Sequence, residues 1–156
     1  MVQVAIQSVR FPNRYVRLDG TGVTSITASG GGTVSAATFI GTYETFTLVV
    51  NSGGTVSFKS TVFSDVFLRL DGTGVAAGQN LPNGGGRVNA QFTARSFERF
   101  KIHPKPGHAG TFQGIVGIES AAFPGRYLRL DGSTGTVNVQ GVFEAYEEFK
   151  ILVVGP

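Results

Sequence analysis

The sequence contains no cysteine and no tryptophan, and it has only one methionine and two histidines among its 156 residues. Without cysteine, the chain has no disulfide bond, no thiol nucleophile and no thiolate ligand for zinc. No apolar run approaches the roughly 18–20 residues that a membrane-spanning helix needs. These absences argue against a disulfide-stabilised domain, a cysteine enzyme, a metal site and membrane insertion.

Charged residues are also scarce, at 15%, whereas hydrophobic residues make up 41%. This composition predicts a globular protein, and the length suits one domain over residues 1–156. The net charge is +3, but no run of lysine or arginine concentrates it, so we expect no nucleic-acid partner. Residues 1–6 lack a basic stretch followed by an apolar one, which predicts no secretory signal. We therefore expect a cytoplasmic or non-classically secreted protein.

A seven-residue run that occurs three times organises the chain. The copies are RYVRLDG at 14–20, VFLRLDG at 66–72 and RYLRLDG at 126–132. Each run alternates in the way a half-buried strand does, so Val16 and Leu18 should face opposite to Tyr15 and Arg17. The closing Asp-Gly is typical of a tight turn in which glycine adopts positive φ.

The same four-strand pattern surrounds each run and defines repeats at about 1–52, 53–104 and 105–156. Repeats one and two carry a Gly-rich insertion between their second and third strands, which repeat three lacks. The predicted strands are 3–9, 15–19, 33–36 and 43–50 in repeat one, 55–60, 66–71, 87–90 and 97–102 in repeat two, and 115–120, 127–131, 136–139 and 146–152 in repeat three.

Three four-stranded repeats of about 50 residues predict an all-β fold, the β-trefoil. One unit cannot bury its apolar face alone, but three can close a six-stranded barrel capped by three hairpins. The first and fourth strands of each repeat should form the barrel, and the second and third should form the cap. The predicted core is Val4, Ile6, Leu18, Val34, Phe46, Leu48, Val56, Phe58, Leu70, Val88, Phe100, Ile102, Val116, Ile118, Leu130, Val137, Phe149 and Ile151.

Two β-trefoil families share motifs with this sequence. SVRFPNRYVR at 8–17 and SAAFPGRYLR at 120–129 resemble the arabinose-binding trefoil domain of some fungal arabinofuranosidases. YETFTL at 43–48 resembles the fascin and hisactophilin type, which binds actin. The resemblance implies a glycan or actin as partner. The arabinose-binding family contacts sugar through a histidine, which is replaced here by Leu18, Leu70 and Leu130. It also uses an aspartate, which is replaced by Tyr43, Phe97 and Tyr146. These replacements imply another sugar or another site.

The Arg14-Tyr15 pair and its counterpart Arg126-Tyr127 are the candidate sugar-binding motif, because an aromatic face beside a forked donor suits sugar recognition. Repeat two has residues 65–67 (DVF) there, so we expect sites in repeats one and three. The ligand-binding candidates are Asn13, Arg14, Tyr15, Arg17, Asp19, Arg126, Tyr127, Arg129 and Asp131. In the alternative interpretation the aromatic rings pack in the cap and the Asp-Gly pairs only close hairpins. The recurring glutamates 44, 98 and 147 would then pair with arginine or satisfy backbone donors.

No catalytic motif stands out, and no cofactor is implied. The triplets at 30–32 and 84–86 lack the ending and the following helix of a phosphate-binding loop. His103 and His108 lie in a Pro/Gly segment that predicts a loop. The sequence therefore predicts a non-catalytic, lectin-like carbohydrate-binding protein with two or three shallow sites. The alternatives are a fascin-like actin-binding module and, more remotely, a protease inhibitor that acts through loop 76–87.

Overall fold

The computed structural model describes residues 1–105 and 114–156. These residues form twelve β-strands and three single-turn 3-10 helices. None of the described segments is a helix long and apolar enough to cross a membrane. The strands are β1 (Gln3–Ser8), β2 (Tyr15–Asp19), β3 (Thr33–Ala37), β4 (Phe46–Val50), β5 (Val56–Ser60), β6 (Val66–Asp71), β7 (Arg87–Phe92), β8 (Phe100–Pro104), β9 (Ile115–Ser120), β10 (Tyr127–Asp131), β11 (Thr136–Gln140) and β12 (Phe149–Gly155).

Six strands close a barrel, and the other six form hairpins. The antiparallel ring runs β1, β4, β5, β8, β9, β12 and back to β1. The hairpins are β2–β3, β6–β7 and β10–β11, one in each repeat. This is the β-trefoil arrangement, and it confirms the predicted fold and the assignment of strands to barrel and cap.

Thirteen of the eighteen predicted core residues are buried, and they form one cluster. Leu48, Val56, Ile102 and Ile151 are partly buried and pack against that cluster. Val116 is only half-buried, so its assignment to the core was wrong. The core also contains Val16, Leu68 and Leu128 of the second strands, because each cap hairpin buries two residues of its inner face instead of one.

The fourth strands begin later than predicted, because their aromatic-Glu segments form 3-10 turns. In each turn the glutamate carboxylate accepts the backbone N–H three residues earlier, and this contact bends the chain before the strand starts. The turns are Thr42–Glu44, Ser96–Glu98 and Ala145–Glu147, with N–H donors at Gly41 (2.7 Å), Arg95 (2.7 Å) and Glu144 (2.8 Å). The strand assignments at 43–45, 97–99 and 146–148 were therefore wrong.

The glycine of each Asp-Gly pair is required by close packing and not by backbone conformation. Gly20, Gly72 and Gly132 do not have positive φ, so that prediction was wrong. A phenylalanine ring from the following repeat lies where a Cβ would be, and the same ring contacts the aromatic residue of a 3-10 turn. The triads are Gly20–Phe63–Tyr43, Gly72–Phe123–Phe97 and Gly132–Phe11–Tyr146, with ring centroids 5.2, 4.9 and 5.2 Å apart. These contacts interlock the three repeats.

His103 lies in β8 opposite Gly117, and not in a loop as its Pro/Gly neighbourhood suggested. Its Nε2 is 2.5 Å from Oε1 of Glu119, and its ring meets the edge of Tyr127 at 6.5 Å. The barrel ladder therefore continues to the proline at 104. His108 lies outside the described residues.

Candidate functional site

The Gly-rich insertions of repeats one and two lie across the next repeat. The connection 20–32 crosses β7, where Gly31 and Ala90 exchange two backbone hydrogen bonds of 2.8 Å. The connection 72–86 crosses β11, where Gly85 and Val139 do the same at 2.8 and 2.9 Å. Each insertion thereby adds a wall beside the hairpin of the following repeat.

The glycine triplets make these crossings possible. Gly30 and Gly32 have φ of +68° and +65°, and a Cβ on Gly30 would lie 2.5 Å from the carbonyl oxygen of Ala90 in β7. Gly84 and Gly86 repeat this geometry with φ of +66° and +60°. A side chain at these positions would separate the loop from the strand that it crosses.

Two glutamines hold the insertions in place. The amide of Gln91 accepts the N–H of Thr27 at 3.2 Å and donates to its carbonyl at 2.7 Å. Gln140 makes the same pair of bonds with Leu81, both at 2.8 Å. Ala37 occupies this register position in repeat one, opposite Tyr15, as Gln140 lies opposite Tyr127. Only repeats two and three therefore carry the amide that fixes a covering loop.

Under each insertion lies a buried arginine whose hydrogen bonds go to the loop and to an asparagine. Arg69 donates to the carbonyl of Ala28 at 3.3 Å and to Oδ1 of Asn89 at 3.2 Å. Its side chain is 3% exposed. The guanidinium carbon lies 5.1 Å from the centroid of the Phe97 ring. Desolvation of the charge is thus compensated by acceptors and by the ring.

Arg129 repeats this arrangement in the third repeat. It donates to the carbonyl of Asn83 at 3.2 Å and to Oδ1 of Asn138 at 3.3 Å, and it lies 5.1 Å from the Tyr146 ring centroid. Its NH2 is 3.7 Å from Oδ2 of Asp131. The recurring glutamate was expected to pair with this arginine or to satisfy a backbone donor, and it does the second, accepting the N–H of Glu144 at 2.8 Å.

These elements leave two open clefts at pseudo-equivalent positions. Cleft two, in repeat two, has a volume of about 380 Å³, and cleft three, in repeat three, has about 390 Å³. Each combines an arginine over an aromatic ring, a buried glutamate and the edge of the crossing loop. Cleft two is lined by Ile26, Thr27, Ala28, Arg69, Gln91, Arg95, Ser96, Phe97 and Glu98, and cleft three by Asn80, Leu81, Pro82, Arg129, Gln140, Glu144, Ala145, Tyr146 and Glu147.

The counterpart in repeat one lacks the covering loop. The connection that would reach it, residues 132–135, is short, and its last residue, Gly135, accepts the N–H of Ala36 in β3 at 3.0 Å. The side chain of Arg17 stays 35% exposed, 3.6 Å from Oε2 of Glu44, and lies 4.8 Å above the Tyr43 ring. The same chemical groups are present there, but no wall encloses them.

Burial changes the protonation of the cleft glutamates. Desolvation raises the pKa of Glu147 to about 7, although the N–H of Glu144 and the charge of Arg129 act in the opposite direction. Burial likewise raises the pKa of Glu98. Both glutamates are 2% exposed, and their carboxyl groups form part of the buried wall of the cleft.

The aspartates among the predicted ligand-binding residues close their hairpins. Oδ1 of Asp19 accepts the N–H and the hydroxyl of Thr21 at 3.0 and 2.5 Å, and Oδ1 of Asp131 accepts the same groups of Ser133 at 2.9 and 2.6 Å. The hydroxyl hydrogen bond is the main cause of the lowered pKa of both carboxyl groups. One oxygen of each carboxylate is thus used by the turn.

The Arg-Tyr motifs lie outside the two clefts. Arg14 donates to the carbonyl of Ala36 at 3.3 Å, beside the half-buried Tyr15 and the exposed Asn13. Arg126 donates to the carbonyl of Val75 at 2.6 Å.

Tyr127 stacks on Phe143 with centroids 5.4 Å apart, and burial raises its pKa. Of the nine candidates, Arg129 is the one that lines cleft two or three. The other eight remain predicted ligand-binding residues, and one of them, Asp131, is buried.

The sequence does contain a pattern that marks the clefts. The third strands of repeats two and three read VNAQ at 88–91 and VNVQ at 137–140, whereas repeat one reads VSAA at 34–37. The asparagine and glutamine occur only where the preceding repeat has the Gly-rich insertion. This correlation between an insertion and two amides in the next repeat is the signal that could have located the clefts, and the sequence prediction missed it.

Comparison with known proteins shows the fold alone. The sequence matches no protein-family model, and no curated protein sequence matches it significantly. Among solved structures, SeviL bound to an asialo-GM1 saccharide is 10% identical, with a TM-score of 0.70 and 99% of both chains covered. The designed threefold-symmetric protein ThreeFoil is 9% identical, with a TM-score of 0.71 over 97% of this chain and 99% of its own.

A GlcNAcα1-4Gal-releasing endo-β-galactosidase from Clostridium perfringens is also similar. It is 9% identical, with a TM-score of 0.66, and the match covers 99% of this chain but only 33% of the enzyme. None of these three proteins is described as an actin-binding protein. The chain therefore has the β-trefoil fold, which it shares with a protein solved in complex with a saccharide.

Proposed function

We propose that this chain is a non-catalytic carbohydrate-binding protein whose binding sites are cleft two and cleft three. The observation that carries the proposal is the pair of open clefts at pseudo-equivalent positions, each with an aromatic ring, a guanidinium group and backbone amides of a crossing loop. Shallow clefts of mixed apolar and polar character suit a saccharide, which stacks through its C–H face and hydrogen bonds through its hydroxyl groups. SeviL, which has the same fold, was solved with a saccharide bound.

Two clefts in one small protein would act together on a glycan-bearing surface. Binding at the first site makes binding at the second intramolecular, so the overall avidity exceeds the affinity of either shallow site. The use of the acidic groups supports a binding role over a catalytic one. Glu98 and Glu147 are buried, and each carboxylate accepts a backbone N–H of its own 3-10 turn.

A glycan array tests this proposal. The parent protein should bind at least one class of saccharide, and free saccharide should compete. Because Asn80 and Glu144 are exposed residues of cleft three, the pair of changes Asn80→Ala and Glu144→Ala should weaken binding without affecting the fold. For cleft two, Ile26→Ser and Arg95→Ala serve the same purpose.

The predicted Arg-Tyr motif supplies the control for the location of the sites. Tyr15→Ala with Tyr127→Ala should leave binding intact if the clefts hold the sugar, and should abolish binding if the motif holds it. Retention of binding in all of these variants would place the sites elsewhere. An array on which the parent protein binds no saccharide would refute the proposed function.

A further inference from the structure

Clefts two and three share one backbone design but differ in charge at two positions. The residue before the 3-10 turn is Arg95 in repeat two and Glu144 in repeat three, and both are exposed. The residue after the turn is Arg99 in repeat two and Glu148 in repeat three. In both repeats the N–H of the residue before the turn donates to the buried glutamate. The fold therefore uses the main chain at this position and leaves the side chain free.

The difference reverses the balance of charged groups around the clefts. Cleft two has two guanidinium groups, on Arg69 and Arg95, beside the single carboxyl of Glu98. Cleft three has one guanidinium group, on Arg129, beside the carboxyls of Glu144 and Glu147.

The lining residues of the two clefts also differ in polarity. Ser96 and Thr27 of cleft two correspond to Ala145 and Leu81 of cleft three, although the Thr27 hydroxyl donates to the carbonyl of Gly30 at 3.0 Å, and the apolar Ile26 corresponds to Asn80. Since Thr27 and Leu81 are held by equivalent glutamine amides, these two side chains occupy the same place in the two sites.

Beyond Arg95, a second hollow of about 490 Å³ continues the surface of cleft two. Arg95 and Ser96 line both, and the second hollow adds Arg99 and the hydroxyl groups of Ser52 and Thr55. Among the residues that the structure describes, neither Arg95 nor Arg99 forms a salt bridge.

The pseudo-equivalent Glu148 is already paired. Its carboxylate lies 3.1 Å from Nζ of Lys105. Repeat two thus combines two exposed guanidinium groups with hydroxyl groups in one concave surface, whereas repeat three does not.

From this geometry we infer that cleft two and the adjoining hollow bind an acidic saccharide, while cleft three binds a neutral one. Arg95 and Arg99 would contact the carboxylate or sulfate group, since a guanidinium group binds such planar or tetrahedral anions through paired hydrogen bonds. The hydroxyl groups of Ser52, Thr55 and Ser96 would contact the sugar. This inference rests on the proposed carbohydrate-binding function and names the ligand class of one of its two sites.

The test is an array that carries each neutral oligosaccharide beside its sulfated and its sialylated derivative. The parent protein should prefer acidic members, and raising the salt concentration should weaken that binding, since partly exposed ion pairs are screened. Arg95→Glu with Arg99→Glu should reduce acidic-glycan binding roughly tenfold or more, as expected for loss of charge-assisted hydrogen bonds. Lys150→Glu, a change of an exposed lysine that lines neither cleft, is the control for reversal of a surface charge and should have little effect.

The reverse substitution supplies an independent measurement. Glu144→Arg places the cation of repeat two in cleft three and should increase binding of acidic glycans. Acidic-glycan binding that is equal in the parent and in these variants would overturn the inference and leave the proposed function intact. Competition by inorganic sulfate that is as strong as competition by the free acidic saccharide would also overturn the inference, because the site would then recognise an anion and not a saccharide. Failure of the parent to bind any saccharide would overturn both.

Discussion

The packing of Phe11 against Gly132 leads to a sharp prediction for the substitution Gly132→Ala. A Cβ at this position would lie 2.5 Å from Cγ of Phe11, whereas ordinary contact begins near 3.4 Å. The ring would have to move by about 1 Å. It is restrained by its edge contact with Tyr146 and by the hydrogen bond from its own N–H to Oγ of Ser8 at 2.9 Å.

The expected cost follows from two opposing effects. Overpacking of this kind lowers stability by about 1–3 kcal/mol. Alanine also reduces the conformational freedom of the unfolded chain, which raises stability by about 0.4–1 kcal/mol because Gly132 does not have a positive φ. The free energy of unfolding should therefore fall by about 1–2 kcal/mol. Gly72→Ala should cost less, since the nearest atom of Phe123 would be 2.9 Å away.

A double-mutant cycle separates this clash from a backbone effect. Unfolding in urea can be followed by circular dichroism, which suits a chain without tryptophan. In the Phe11→Ala background, Gly132→Ala should become neutral or slightly stabilising, which gives a coupling of about 1–3 kcal/mol, the full cost of overpacking. Gly22→Ala is the comparison, because Gly22 has φ of +82° and no atom lies within 4 Å of the place that a Cβ would occupy, so its cost should not depend on any ring. An undiminished cost of Gly132→Ala in the absence of the Phe11 ring would refute the reasoning.

Two further predictions concern cleft three. Because the folded pKa of Glu147 is about 7 against 4.5, the folded carboxyl binds a proton that the unfolded one has lost, and stability should fall as the pH rises between these values. Glu147→Gln should remove this pH dependence of stability, which is worth at most about 3 kcal/mol by pH 7, in urea titrations across pH 4–8. Glu44→Gln, in contrast, should only break the ion pair with Arg17. A difference in stability between Glu147→Gln and the parent that does not change with pH would contradict this prediction. Gln140→Ala should speed amide hydrogen exchange at Leu81 at least several-fold by removing its two hydrogen bonds, and unchanged protection would show that the loop is held by other contacts.

The fold could be predicted from the sequence because its determinants are local and occur three times. Alternation in 15–19, 66–71 and 127–131 fixes the inner face of each hairpin, and closure of three such units fixes the barrel. The 3-10 turns were missed because they depend on one buried side chain, the glutamate, that competes with the strand for a backbone N–H. Strand propensity alone carries no information about that contact.

The candidate site was harder to predict because it is built between repeats. Arg129 was predicted to bind ligand, but as part of a surface motif, whereas the structure buries it under residues 80–83 of the preceding repeat. No pattern within one repeat shows that its neighbour will cover it. The glycines of the Asp-Gly pairs were attributed to positive φ, whereas a contact from another repeat requires them. At Gly20 the ring that excludes a side chain is that of Phe63 in the following repeat.

The number of clefts follows from the order of the repeats and the lengths of their loops. Each insertion covers the repeat that follows it, so long loops in repeats one and two enclose sites in repeats two and three, and the short connection at 132–135 leaves repeat one open. The positions to which we assign the difference in ligand charge are decoupled from this framework. Gly41, Arg95 and Glu144 give the same hydrogen bond through their main chain, so the turn forms with a glycine, a basic residue or an acidic residue at this position. A β-trefoil built in this way can therefore present different ligand preferences on one constant backbone.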